Sequence, residues 1–160
     1  MKINIPKIIA TFLTLVVFNS CKIVFANEKL CLEKAFTQKE MNKCSNISYQ
    51  NADNELNRVY KLIREIYHKD QVFIKKLKKA QQAWIELRDA DFELYFPYHQ
   101  QPNYYGKIFP TCANNLKSKL TLKRVEFLKQ WVKGSAEGEA CSGSIQNSIE
   151  IQETQKNQPN

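Results

Sequence analysis

Glycine is scarce in this chain, at 4 of 160 residues, and proline little commoner at 5. No glycine-rich phosphate loop and no Gly-x-Ser-x-Gly nucleophile elbow can be assembled from so few, which removes the common nucleotide-binding and serine-hydrolase signatures. Histidine is rarer still. His68 and His99 stand alone, and no Cys-x-x-Cys occurs, so the spacing of a zinc site is missing. No segment sustains an apolar period of two, so no sheet is expected. Glu86, Asp89, Asp91 and Glu93 are the densest carboxylates, but on a helix they spread over different faces and do not form the opposed pair that glycoside cleavage needs. These absences favour a binding protein over an enzyme, and one without a metal or cofactor.

The amino terminus reads as a targeting segment. Lys2 and Lys7 supply positive charge, and residues 8–18 are apolar apart from Thr11 and Thr14. That run is too short to span a bilayer comfortably. Val24-Phe25-Ala26 ends on a small residue, so 1–26 is expected to be a signal peptide cleaved before Asn27. The product would be periplasmic or secreted. Cys21 offers a lipid anchor as the alternative, and only then a membrane attachment, but Phe18-Asn19-Ser20 suits lipoprotein processing poorly. Cleavage would remove Lys2, Lys7 and Lys22 and no acid, lowering the net charge from +8 to +5. That balance permits weak attraction to an anionic surface without specifying one.

Helix signals dominate the remainder. Thr37-x-x-Glu40 is a capping box. From it an unbroken helical period through Met41, Cys44, Ala52, Leu56 and Ile63 predicts one helix over 38–67. A turn at His68-Lys69-Asp70 leads to a second helix over 71–96, halted by Pro97. A third is expected over 111–133, ended by Gly134. Short connections between three long helices predict an all-α, antiparallel bundle. Lysines 75, 76, 78 and 79 cluster early in the second helix. No aromatic residues are interleaved with them, so they read as a solvated face or an anion patch and not as a nucleic-acid platform.

The bundle is organised around the second helix. Leu77, Ala80, Trp84, Leu87 and Asp91 share a stripe at helical spacing, with Gln81 and Arg88 on its border and Asp89 beside them. Arg88, at i+4 from Trp84, can lay its stem along the indole. On the first helix Ala52, Asp53, Leu56, Asn57, Tyr60 and Arg64 form a matching face, and Asp53 and Asn57 are the expected partners of Arg88 and Gln81. Such a cluster is either a satisfied helix–helix core or a polar pocket for a ligand.

Three stretches carry a resemblance: Thr37 to Cys44 (TQKEMNKC), Ala52 to Tyr60 (ADNELNRVY) and Ala80 to Ala90 (AQQAWIELRDA). Together they resemble the DUF1311 domain, also called the LprI-like lysozyme-inhibitor N-terminal domain. The resemblance covers roughly residues 30–129. It implies a small secreted or lipid-anchored bacterial helical domain, in a family of which a member inhibits lysozyme. The expected function is therefore binding and inhibition of a lysozyme-like cell-wall hydrolase. The alternative is an interaction module for cell-wall polymer or an anionic surface, using the lysines at 75–79.

Cys31, Cys44, Cys112 and Cys141 survive cleavage, and an even number in an exported chain reads as a disulfide framework. Three connectivities are open, of which Cys31–Cys44 with Cys112–Cys141 is preferred. Relatives often carry a cysteine just after the Arg-Asp-Ala motif, where this chain has Phe92. Cys141 is then a candidate replacement partner for Cys112. Between the second and third helices, 97–110 holds Pro97, Pro102 and Pro110 with Tyr98, Tyr104 and Tyr105. It is either a loop pinned over the bundle end or a contact loop for a protein partner, with the three tyrosines as its contacts. The helical domain is expected to occupy 27–133. Residues 134–160 read as a linker and a disordered polar tail, pinned only if Cys141 is bridged.

Overall fold

The first long helix begins where its sequence says it should. Thr37 and Glu40 form a reciprocal cap: the Glu40 amide donates to the Thr37 hydroxyl at 3.2 Å, and the Thr37 amide donates to the Glu40 carboxylate at 2.9 Å. The computed structural model describes residues 30–156, so the proposed leader, its cleavage site and Cys21 lie outside the described residues. Helix α1 runs Gln38–Ile66, α2 Gln71–Tyr95, α3 Phe109–Leu128, α4 Gln130–Lys133 and α5 Ser148–Lys156. No strand occurs among the described residues; Ser135 and Asn147 make one isolated parallel bridge. Asp70 caps α2 by accepting from the Phe73 amide at 2.9 Å. Helix α3 starts two residues ahead of Thr111, because Pro110 fits the first helical turn, where no amide partner is needed.

The chain runs up, down and up. Asn42 meets Thr111 and Ser45 meets Asn114, both 69 residues apart, so α1 and α3 lie parallel in constant register. Helix α2 runs against α3: Phe73 lies 6.4 Å from Trp131, Gln81 bonds Arg124, and Phe96 lies 5.3 Å from Phe109. Leu56, Val59 and Ile63 of α1 interlock with Val125 and Leu128 of α3 to form the main core. Of α2 only Leu77 and Phe92 are buried. It is the outer helix of the three.

Three expectations need correction here. The inward face of α2 is rotated from the anticipated stripe. Leu77 and Trp84 do pack inward, but Ala80 and Leu87 point to solvent, and Phe92 takes the inward place. The second concerns the cysteines. Cys31 and Cys44 are bonded, with Cα atoms 5.7 Å apart, whereas Cys112 and Cys141 are free and exposed. Cys112 lies in the first turn of α3. The segment bearing Cys141 docks beyond the other end of that helix, where Trp131 donates to the Ser144 hydroxyl and the Gln146 amide donates to the Tyr67 hydroxyl, both at 3.0 Å. About 24 Å of helix, at 1.5 Å per residue, separates position 112 from position 128.

The third concerns the segment after Lys133, which returns to the core. Gly134, at φ 79°, turns the chain so tightly that a Cβ there would lie 2.6 Å from the Ser148 backbone. The Ser135 amide then donates to the Gln146 carbonyl, and the Ser135 carbonyl accepts from the Ser148 amide. Ile151 of α5 is 2% exposed, inside the main core. One apolar side chain at the right place outweighs the polar composition around it.

Candidate functional site

The loop at 96–108 is built from rings. Phe96 meets Phe92 at 5.4 Å, Tyr105 at 5.3 Å and Phe109 at 5.3 Å, and His99 packs edge-on against Phe92. The chain turns repeatedly above this floor, with backbone bonds from His99 to Phe96, Gln101 to Tyr98, Tyr104 to Gln101 and Gly106 to Asn103. Asn103 at φ 60° and Gly106 at φ 70° supply the left-handed backbone that these turns need, and both residue types tolerate it. The Tyr98 amide donates to the Tyr105 hydroxyl at 3.3 Å, closing the loop on itself.

A clamp fixes the loop to α1. Asn42 donates through Nδ2 to the Lys107 carbonyl at 3.2 Å. Its Oδ1 accepts from Gln38 at 2.8 Å and from the Thr111 hydroxyl at 2.6 Å. Between the first turn of α1 and the loop lies an open cleft of about 490 Å³, with Lys39, His99, Tyr104 and Lys107 on its walls. Tyr105 is half-buried and serves the floor, while Tyr98 and Tyr104 meet at 4.8 Å with their rings tilted by 46° and stand 47% and 55% exposed. Tyr95 and Ile108 extend the exposed apolar surface. The loop carries Lys107 and no acid. The result is a rigid, aromatic, locally cationic surface, whose anchors have little conformational freedom left to lose on binding.

The anticipated polar cluster is not brought together as expected. Asp53 accepts from Asn57 one turn later on its own helix, and among the described residues neither forms a hydrogen bond or ion pair with α2. Arg88 is held by its neighbour Asp89 at 2.8 Å. The partner of Gln81 is Arg124 of α3, at 3.0 Å. Both guanidinium groups lie near the Trp84 ring, Arg88 at 5.3 Å and Arg124 at 5.8 Å from its centroid. Burial lowers the pKa of Arg124 from its ordinary value. Tyr60 is half-buried against the core. The reason is geometric: α2 runs along α3, and α1 presents Asp53 elsewhere.

Gln38, Asn42 and Thr111 are the residues that sequence reasoning passed over. Gln38 and Asn42 do stand one turn apart within the first motif stretch, but their partner lies some 70 positions away. Among the described residues no group of three or more His, Cys, Asp or Glu is placed to hold a metal ion, and no helix is long and apolar enough to cross a membrane.

Comparison with known proteins adds a family. A family model described as Lysozyme inhibitor LprI matches residues 31–128. An uncharacterized protein of Rhizobium meliloti (strain 1021) is 32% identical over 108 residues, spanning 61% of this chain and 75% of that protein. No solved structure matches. The family match ends at the last residue of α3, so it takes in the three long helices, the disulfide and the aromatic loop, and leaves out α4 and α5.

Proposed function

We propose, from the premise that this chain belongs to the lysozyme inhibitor LprI family, that it is an exported protein which binds and inhibits a lysozyme-like cell-wall hydrolase through the loop at 96–108. The carrying observation is the pair Tyr98 and Tyr104, held outward on a floor of buried rings. Exposed tyrosines on a rigid base are the anchors that protein interfaces use most. The site's charge narrows the target. Hydrolases that cleave glycosidic bonds carry two carboxylates in an open cleft. Lys107 and Lys39 beside the tyrosines complement such a cleft. The whole chain is basic, so a strongly basic lysozyme is repelled at long range and a muramidase with an acidic face is the better fit. The lysines at 75–79 of α2 spread around about half of the helix circumference and form no concave site, so a polymer-binding role draws no support from the geometry.

The test is inhibition of c-type, g-type and bacterial muramidases by the oxidised 27–160 form. Stoichiometric inhibition of one class is expected. Tyr98→Ala and Tyr104→Ala should each weaken it about ten- to a hundredfold, the range of an interface anchor, while leaving the helical circular dichroism unchanged. Absence of inhibition of any class at micromolar protein would remove this reading.

A further inference from the structure

Helix α2 carries a second apolar stripe that none of the described residues covers. Ala80, Ala83, Leu87, Ala90 and Leu94 recur at alternating spacings of three and four, all exposed, with Leu87 at 58% and Leu94 at 80%. This is the spacing of a two-helix coiled-coil seam, with small residues that let backbones approach and leucines that fill the space between them. The stripe lies about a third of a turn from the face that holds α2 against α3, so a partner can reach it without disturbing the core.

The charge along the same helix selects the partner. Lysines 75, 76, 78 and 79 sit at one end, and Glu86, Asp89, Asp91 and Glu93 at the other. The four lysines are exposed, and Arg88 with Asp89 is the one ion pair of α2 among the described residues. A helix basic at its start and acidic at its end complements itself when laid antiparallel. We propose that this face is the interface of a two-fold symmetric dimer, occupied by α2 of a second copy of the chain. Registered on Ile85, Ala80 meets Ala90 of the second copy and Ala83 meets its Leu87. The aliphatic stem of Lys76 covers its Leu94. On the solvent side of the seam Lys79 meets Glu93 of the second copy, twice by symmetry. Glu86 faces its own symmetry mate, the one repulsive contact of the arrangement. An isologous pair of this kind closes on itself and builds no filament.

This inference stands apart from the inhibitor reading, because it uses neither the tyrosines nor the cleft. Sedimentation velocity of the 27–160 form over a micromolar to millimolar range tests it. A reversible dimer is expected. Lys79→Glu and Glu93→Lys should each weaken it about tenfold, and the double swap Lys79→Glu/Glu93→Lys should restore it. Glu86→Gln should tighten it, and Leu87→Asp should abolish it with helical content intact. A monomer throughout the range overturns the proposal. So does a dimer that persists in Leu87→Asp, or one whose two single charge reversals are not rescued by the double swap. Inhibition of a hydrolase by monomeric Leu87→Asp would show that the two surfaces act separately.

Discussion

Thr121 has no exposed surface, and its hydroxyl finds no hydrogen-bond partner among the described residues. It sits on α3 where that helix faces α1. A buried hydroxyl without a partner carries a desolvation penalty of about 1–3 kcal/mol. Thr121→Val keeps the shape and removes that penalty, so it should raise the melting temperature, which differential scanning calorimetry would read. Glu55 behaves oppositely. A hydrogen bond from Arg58 lowers its pKa against the effect of burial, and attraction to Arg58 and Lys129 lowers it further. Lys129, between Glu55 and Glu126, has its pKa raised by those two partners although burial opposes its charge. A depressed carboxylate contributes stability that is present above its unfolded pKa and lost as pH falls through the folded one. Urea midpoints of the native chain should therefore fall on acidification below about pH 4.5, and fall less in Glu55→Gln. Little of this was legible beforehand. Asp53, Asn57, Gln81 and Arg88 look like mutual partners in the sequence because each stands on an apolar stripe. Which stripe faces which depends on how three helices are arranged, and that is not a local property.

Element boundaries were far more legible. The capping box at Thr37 and Glu40, the turn at His68-Lys69-Asp70, the halt before Pro97 and the stop at Gly134 are decided by residues within one turn of the boundary. The structure places each within a residue or two of the expectation, although the single helix expected over 111–133 is broken at Lys129 into α3 and α4. The inward face of α2 was misplaced for a physical reason. Its two apolar stripes, Leu77–Trp84 and Leu87–Leu94, have the same period, and only tertiary contact distinguishes them. Cys31 and Cys44 close a short loop, 13 residues apart, that ties the segment before α1 to that helix. Replacing both by serine should lower stability by about 3 kcal/mol on the loop-entropy estimate, and chemical denaturation would read it. Thiol titration of the native oxidised 27–160 form should find two reactive groups, Cys112 and Cys141. Helix α5 depends on one turn. Gly134→Ala puts a methyl group into the Ser148 backbone, so it should release 135–156 to proteolysis while α1 and α3 remain protected.

The pairing of α1 with α3 is the whole-molecule feature with the widest effect. Their shared core joins residues nearly 70 positions apart, whereas α2, which lies between them in sequence, is attached from outside. A chain ending at 96 keeps all of α1 and α2 yet has nothing to cover Leu56, Val59 and Ile63. It should show little helix by circular dichroism at concentrations where the 27–160 form is fully helical, since isolated amphipathic helices are marginal in water. Synthesis meets the same constraint. Until residue 128 has emerged the core shared by α1 and α3 cannot close, and under the export proposed above such a chain stays threadable through a narrow translocation channel. Under the same proposal, burial of the core coincides with arrival on the far side, where an oxidising compartment can close Cys31 onto Cys44. The long-range register of two parallel helices acts in this way as a timing device, one that holds folding back until synthesis of the helical domain is nearly complete.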